Sequence, residues 1–112
     1  MAKISMIRGT TRVYEIPVTD SNKRPYALKE GEKLVFGVKE TCKHPLCVLT
    51  KIIEPDENGR CILRLAPEDT AQMHPASYVY DVGLLSGEDY FNIIEPDVFE
   101  LLSNVTSKED AQ

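Results

Sequence analysis

Hydrophobic and polar residues alternate with period two in four separate segments, the pattern of strands with one buried face. In residues 12–18, Tyr14, Ile16 and Val18 fall on one side and Val13, Glu15 and Pro17 on the other. Leu34, Phe36 and Val38 alternate with Lys33, Val35, Gly37 and Lys39. Cys61, Leu63 and Leu65 alternate with Arg60, Ile62 and Arg64, and Tyr78, Tyr80, Val82 and Leu84 with Val79, Asp81 and Gly83. The pattern predicts a core containing Leu34, Phe36, Val38, Leu63, Leu65, Tyr78, Tyr80 and Val82. Residues 3–7 fit a short edge strand ended by Gly9, and 46–53 a strand rich in β-branched residues. Residues 90–94 fit a last strand that Phe99 and Leu101 extend beyond Pro96.

The segments between these strands carry turn chemistry. Pro67 suits the first position of a helical turn, where its missing N–H costs nothing, and Glu68 and Asp69 oppose the positive helix end. Pro75 blocks further helix. Asn58-Gly59 favours positive φ, which predicts a hairpin joining 46–53 to 60–65; Ser86-Gly87-Glu88-Asp89 predicts another joining 77–85 to 90–94. Residues 19–32 form a long polar connection interrupted by Tyr26, Ala27 and Leu28. Pro17 cannot donate to a ladder, which puts it at an edge or a bulge. The pentapeptide IIEPD occurs at 52–56 and at 93–97, but nothing around the two copies matches, so it marks strand ends and not a repeat. Seven to eight strands, one helical turn and no long amphipathic helix predict an all-β, immunoglobulin-like antiparallel β-sandwich. The expected domain spans residues 1–104, and 105–112 is expected to be a polar, disordered tail.

A chain of 112 residues is enough for one domain with a real core. No run approaches the ~20 apolar residues of a membrane span, and the N-terminus shows no signal-peptide pattern. The expectation is a protein made and kept in a reducing cytoplasm, or assembled there into something larger, with no membrane partner. Charge is divided unequally: residues 1–60 hold eleven Lys or Arg against eight Asp or Glu, residues 61–112 two against ten. That balance argues against nucleic acid as a partner. It favours head-to-tail association, a homo-oligomer included, between the basic group Arg8, Arg12, Lys23 and Arg24 and the acidic group Glu88, Asp89, Glu95 and Asp97. Strand margins near Pro17 and along the last strand are the candidate docking edges.

Three cysteines, Cys42, Cys47 and Cys61, leave one unpaired in any disulfide scheme. Cys42, His44 and Cys47 suggest zinc, but no fourth ligand is local and Cys61 belongs to the inward face of a strand, so zinc is expected not to be required. Whether the Cys42–Cys47 loop closes a disulfide is open at this point. Catalytic material is sparse. Only His44 and His74 could act as bases, neither in a triad-like setting, and Ser86-Gly87 is a hairpin turn without the strand-to-helix bend of a nucleophile elbow. Neither a catalytic site nor a cofactor is expected.

With the strands placed, the chain resembles the N-terminal immunoglobulin-like domain of phage baseplate upper proteins and the related small tail proteins of phages infecting Gram-positive bacteria. The resemblance runs over roughly residues 5–102. It is carried by Ile7-Arg8-Gly9-Thr10-Thr11 followed by VYEIPVTD, by Pro25-Tyr26-Ala27-Leu28, by Leu34 to Lys39, and above all by Leu65 to Thr70 leading into Tyr78 to Val82. Two departures stand out: the family's long stalk-forming regions do not follow Gln112, and the Cys42–Cys47 loop is outside its pattern. The resemblance implies a non-enzymatic structural protein of the virion tail or baseplate, whose partners are other tail proteins. The competing expectation is an immunoglobulin-like carbohydrate- or protein-binding module for host recognition, with Tyr26 and Tyr90 as the tyrosines left for its surface.

Overall fold

The computed structural model describes residues 3–112, and its regular structure is mostly strand. In chain order these are β1 (Ile4–Ile7), β2 (Arg12–Ile16), β3 (Lys33–Lys39), β4 (Leu49–Ile53), β5 (Cys61–Leu65), the helical turn α1 (Pro67–Thr70), β6 (Ala76–Ser86) and β7 (Asp89–Leu102). A 3-10 turn, Lys108–Ala111, lies in the segment expected to be a disordered tail. The strands form a five-stranded sheet in the order β1-β7-β6-β3-β4 and a two-stranded sheet of β2 and β5. Together they make a curled, open half-barrel.

The period-two segments bury the faces their patterns assign. Leu34, Phe36, Val38, Leu63, Leu65 and Val82 are fully enclosed, with Tyr78 and Tyr80 nearly so. Phe36 lies between two aromatic neighbours, its ring centroid 5.6 Å from Tyr80 and 6.3 Å from Phe99. Tilted rings at these distances pack favourably, edges against faces. Ile16 from β2 and Leu28 from the long connection close the core on the side of the small sheet.

One expected pairing does not form. β4 and β5 are not a hairpin: β4 pairs antiparallel with β3, β5 pairs antiparallel with β2, and the chain changes sheets between them. The turn itself is there. Asp56 Oδ1 accepts the N–H groups of Asn58 and Arg60, and Gly59 has φ 76°. Its outer side, however, is held by the long connection, where Leu28 N–H donates to Gly59 O at 3.0 Å. A Cβ on Gly59 would stand 2.7 Å from Ala27 Cβ, so the glycine serves close approach as well as turning. The connection thus packs on the turn at the point where the chain passes from one sheet to the other.

The β6–β7 hairpin does form, and β7 continues through Pro96 as one long strand. Tyr80 pairs with Asp97 while Val82 pairs with Ile94, so Glu95 and Pro96 together oppose Asp81 in a bulge. A bulge is where a proline's missing N–H leaves no ladder bond broken. β1 lies parallel to the end of β7, Ile4 opposite Phe99 and Ile7 opposite Leu102.

α1 links the two layers. Pro67 occupies its first turn, and Asp69 accepts the Ala66 N–H at 2.7 Å while receiving Lys51 Nζ from β4 at 3.0 Å. Buried Thr70 accepts the Gly9 N–H at 2.8 Å, tying the turn to the β1–β2 connection. Tyr78 O–H donates to His74 O at 2.6 Å across the corner into β6.

Three consequences are measurable. Phe36→Ala should lower unfolding free energy by about 3–5 kcal/mol in denaturant titration, the cost of emptying a closed aromatic site. Asp69→Ala should cost about 1–3 kcal/mol, because the Ala66 N–H loses its partner. Lys51→Ala should cost less, about 0–1 kcal/mol, because its ion pair is partly solvated.

Candidate functional site

The outer face of the five-stranded sheet, away from the core, is the surface with the most specific construction. Two of its strands carry glycine at outward positions: Gly37 on β3, opposite Asp81, and Gly83 on β6, opposite Val35. Each is covered by a side chain from elsewhere. Tyr90 of β7 lies across Gly83, where a Cβ would fall 2.0 Å from the phenol oxygen. Cys47 settles over Gly37, its sulfur 3.2 Å from where a Cβ would be. Glycine in a strand interior weakens the strand unless something approaches closely, and here both glycines are used for close approach.

The Tyr90 ring remains 56% exposed on its other side. Partial desolvation, then the carboxylate of Asp81, then Cys47 push its hydroxyl above the ordinary tyrosine range. Asp81 in turn accepts the Asn92 amide at 3.0 Å. Beside this group a groove of about 230 Å³ runs over Gly37, between the β3–β4 loop and the bulge at Pro96. Cys42, Cys47, Lys39, Val79 and Asp81 line it.

The margin of this face is open. Among the described residues β4 ends the strand order, and because it does not pair with β5, no neighbouring strand lies on its outer edge. Leu46, Val48 and Ile52 are exposed along it and its approach, with relative exposures of 70%, 40% and 55%. An uncovered edge flanked by apolar side chains is a template for another strand. The expected margin along the last strand is only partly available, since β1 occupies β7 from Phe99 to Leu102. At the open end of the half-barrel, Phe91 is 54% exposed beside Val18, Tyr26 and Leu84. Tyr26 is half-buried and donates its hydroxyl to Glu32 at 2.8 Å. That bond, first of all, raises the tyrosine's pKa, while the Lys29 N–H and Tyr26 hydroxyl lower that of Glu32.

The charged residues singled out above do not gather into two patches. Arg8 is half-buried and committed to the fold, its Nε donating to Asn104 Oδ1 at 2.9 Å and its Nη1 to Met73 O at 3.4 Å. Arg12 is exposed, its guanidinium 5.8 Å above the Tyr14 ring. Both lie at the α1 end of the molecule, whereas Lys23 and Arg24 are in the exposed turn after β2, near the β6–β7 hairpin end. Glu88 and Asp89 form that hairpin's tip. Glu95 and Asp97 flank Pro96 at the bulge, and Asp97 accepts the Val98 N–H at 2.7 Å.

Among the described residues, no three His, Cys, Asp or Glu side chains converge as a metal site. The Nδ1 of His44 lies 3.0 Å from Leu46 O, within its own loop. No described helix is long and apolar enough to cross a membrane. Tyr90 is exposed as its position implies, whereas its seat on Gly83, the exposed Phe91 and the free β4 edge are not legible in the strand pattern. The outward glycines at 37 and 83 were the visible signal, but nothing in a strand pattern names what will cover them.

Cys42 and Cys47 are exposed and Cys61 is enclosed in β5, where burial pushes its thiol up to about 11. The reduced native protein at pH 8–9 should therefore alkylate at Cys42 and Cys47, with Cys61 reacting only on unfolding. Peptide mapping after iodoacetamide checks this; rapid native labelling of Cys61 would contradict it. Neither a scan of protein-family models nor a search of curated proteins finds a match to this chain.

Proposed function

We propose that this chain is a non-enzymatic structural protein of a phage tail or baseplate, docking to neighbouring tail proteins through the free β4 edge and the adjoining outer face. The observation that carries the docking reading is the uncovered β4 edge, continuous with exposed Leu46, Val48 and Ile52. The phage assignment rests on the resemblance of residues 5–102 to the baseplate domains. Its most specific motifs fall on the crossover turn α1 and on the central strand β6.

An immunoglobulin-like frame is the companion proposal. The order β1-β7-β6-β3-β4 against β2-β5 fits a sandwich of that type with a parallel first strand. The bond from Tyr78 O–H to His74 O, at the start of the strand that follows the crossover, matches the tyrosine corner of such domains. The virion tail is the proposed location, with no cofactor, and assembly takes place after synthesis in the host cytoplasm.

A second reading, a carbohydrate- or protein-binding module for host recognition, is favoured by the two exposed rings of Tyr90 and Phe91. Pull-down of purified tail components against pull-down of host cell wall, with a glycan array alongside, separates the two. Retention by cell-wall glycan alone would sink the tail-assembly reading.

If docking uses charge for orientation, sedimentation of the protein with tail components should show association that weakens as salt rises beyond ~0.15 M. Reversing the sign at Arg12, which is exposed, should slow association more than reversing Arg8, which is bonded within the fold. Complex formation indifferent to salt and to both substitutions would remove charge from the mechanism.

A further inference from the structure

We infer that Cys42 and Cys47 form a thiol–disulfide pair, a modification site on the outer sheet face that reacts with small-molecule disulfides such as glutathione disulfide. This goes beyond the docking reading and does not depend on it.

Both cysteines lie on the β3–β4 loop, which turns back on itself between β3 and β4. The Val48 N–H donates to Val38 O at 2.8 Å, so the chain returns alongside β3 with Cys47 facing the end of that strand. Within the loop the His44 N–H donates to Thr41 O at 3.1 Å, and the His44 ring meets Leu46 O, turning the segment back on itself. A disulfide needs Cα atoms roughly 4.4–6.8 Å apart, a separation that a segment reversing within six residues can reach. Both thiols are exposed and both line the same groove. Gly37 leaves the space in which the Cys47 sulfur rests. The third thiol, Cys61, lies buried in β5 and cannot compete. Metal is the weaker use of this pair, since no third ligand converges on it among the described residues.

The chemistry balances without any other reagent. The thiolate of one cysteine attacks glutathione disulfide, breaking its S–S bond, forming a mixed disulfide and releasing one glutathione thiolate. The second cysteine's thiolate then attacks the protein sulfur of that mixed disulfide, closing the Cys42–Cys47 bond and releasing the second glutathione. The protein loses two electrons and two protons, and one glutathione disulfide becomes two glutathione thiols. The product pins the 42–47 loop beside the free β4 edge.

The test incubates dilute pure protein across a series of reduced-to-oxidised glutathione ratios, quenches with acid, alkylates and maps by mass spectrometry. The expected product is monomer lighter by two hydrogens and cross-linked between Cys42 and Cys47, with Cys61 still a free thiol. Cys61→Ser should behave as the wild type, whereas Cys42→Ser should stop at a glutathione adduct on Cys47. The oxidised form should melt higher by about 4–8 °C, because the closed loop restricts the unfolded chain. Independent glutathione adducts on both cysteines, intermolecular dimers as the main product, or a cross-link surviving in Cys42→Ser would overturn the proposal. An unchanged melting temperature in the oxidised form would overturn the clasp.

Discussion

Two strands must cover the inner face of five, and that constraint shapes the whole molecule. β2 and β5 alone cannot span a flat five-stranded sheet, so the sheet curls around them. The inward residues of β5, Cys61, Leu63 and Leu65, are almost completely enclosed, in one buried cluster with Phe36, Tyr80 and Val82 of the large sheet. Coverage thins toward the hairpin end. There the 25–28 segment contributes Leu28 and part of Tyr26, but Phe91 is left in contact with solvent. Burial is the main stabilising term available, and it concentrates where the two layers overlap.

The same constraint explains which parts of the fold could be read from residue order. Alternation of apolar and polar side chains depends only on one face being buried, so Leu34, Phe36, Val38, Tyr78 and Tyr80 declared themselves. Turn chemistry is also local, and Asp56 and Gly59 do make the turn their sequence implies. Which strands pair is not local. The 56–60 turn closes on itself through the Asp56 N–H to Arg60 O bond, yet the strands it joins pair elsewhere, β4 with β3 and β5 with β2. The candidate site was harder still. A glycine at an outward strand position shows that something can approach, while Tyr90 and Cys47 reach their places through the register of β7 and the path of a loop.

Charge taught a related lesson. The division of net charge between the two parts of the chain is real in sequence, but the strands run up and down the molecule and mix the two parts at each end. Lys23 and Arg24 sit in the turn after β2, away from Arg8, which is drawn into hydrogen bonds around Asn104 and Met73. Apolar edges and the groove over Gly37 therefore distinguish this surface better than net charge does.

The parallel pairing of β1 with β7 sets the order in which the molecule can be completed. Ile4 meets Phe99 and Ile7 meets Leu102, so the earliest strand waits for the latest. Closing so long a segment is entropically expensive and is repaid only when the final contacts form. A chain emerging from the ribosome can assemble β3, β4 and β6 first, leaving the β1 position beside β7 to be filled last. During that interval the end of β7 presents an unpaired margin, with Phe99 and Leu101 not yet capped by Ile4 and Met6. Another copy of the chain could supply the missing strand there, which makes this seam the place where exchange between molecules would begin.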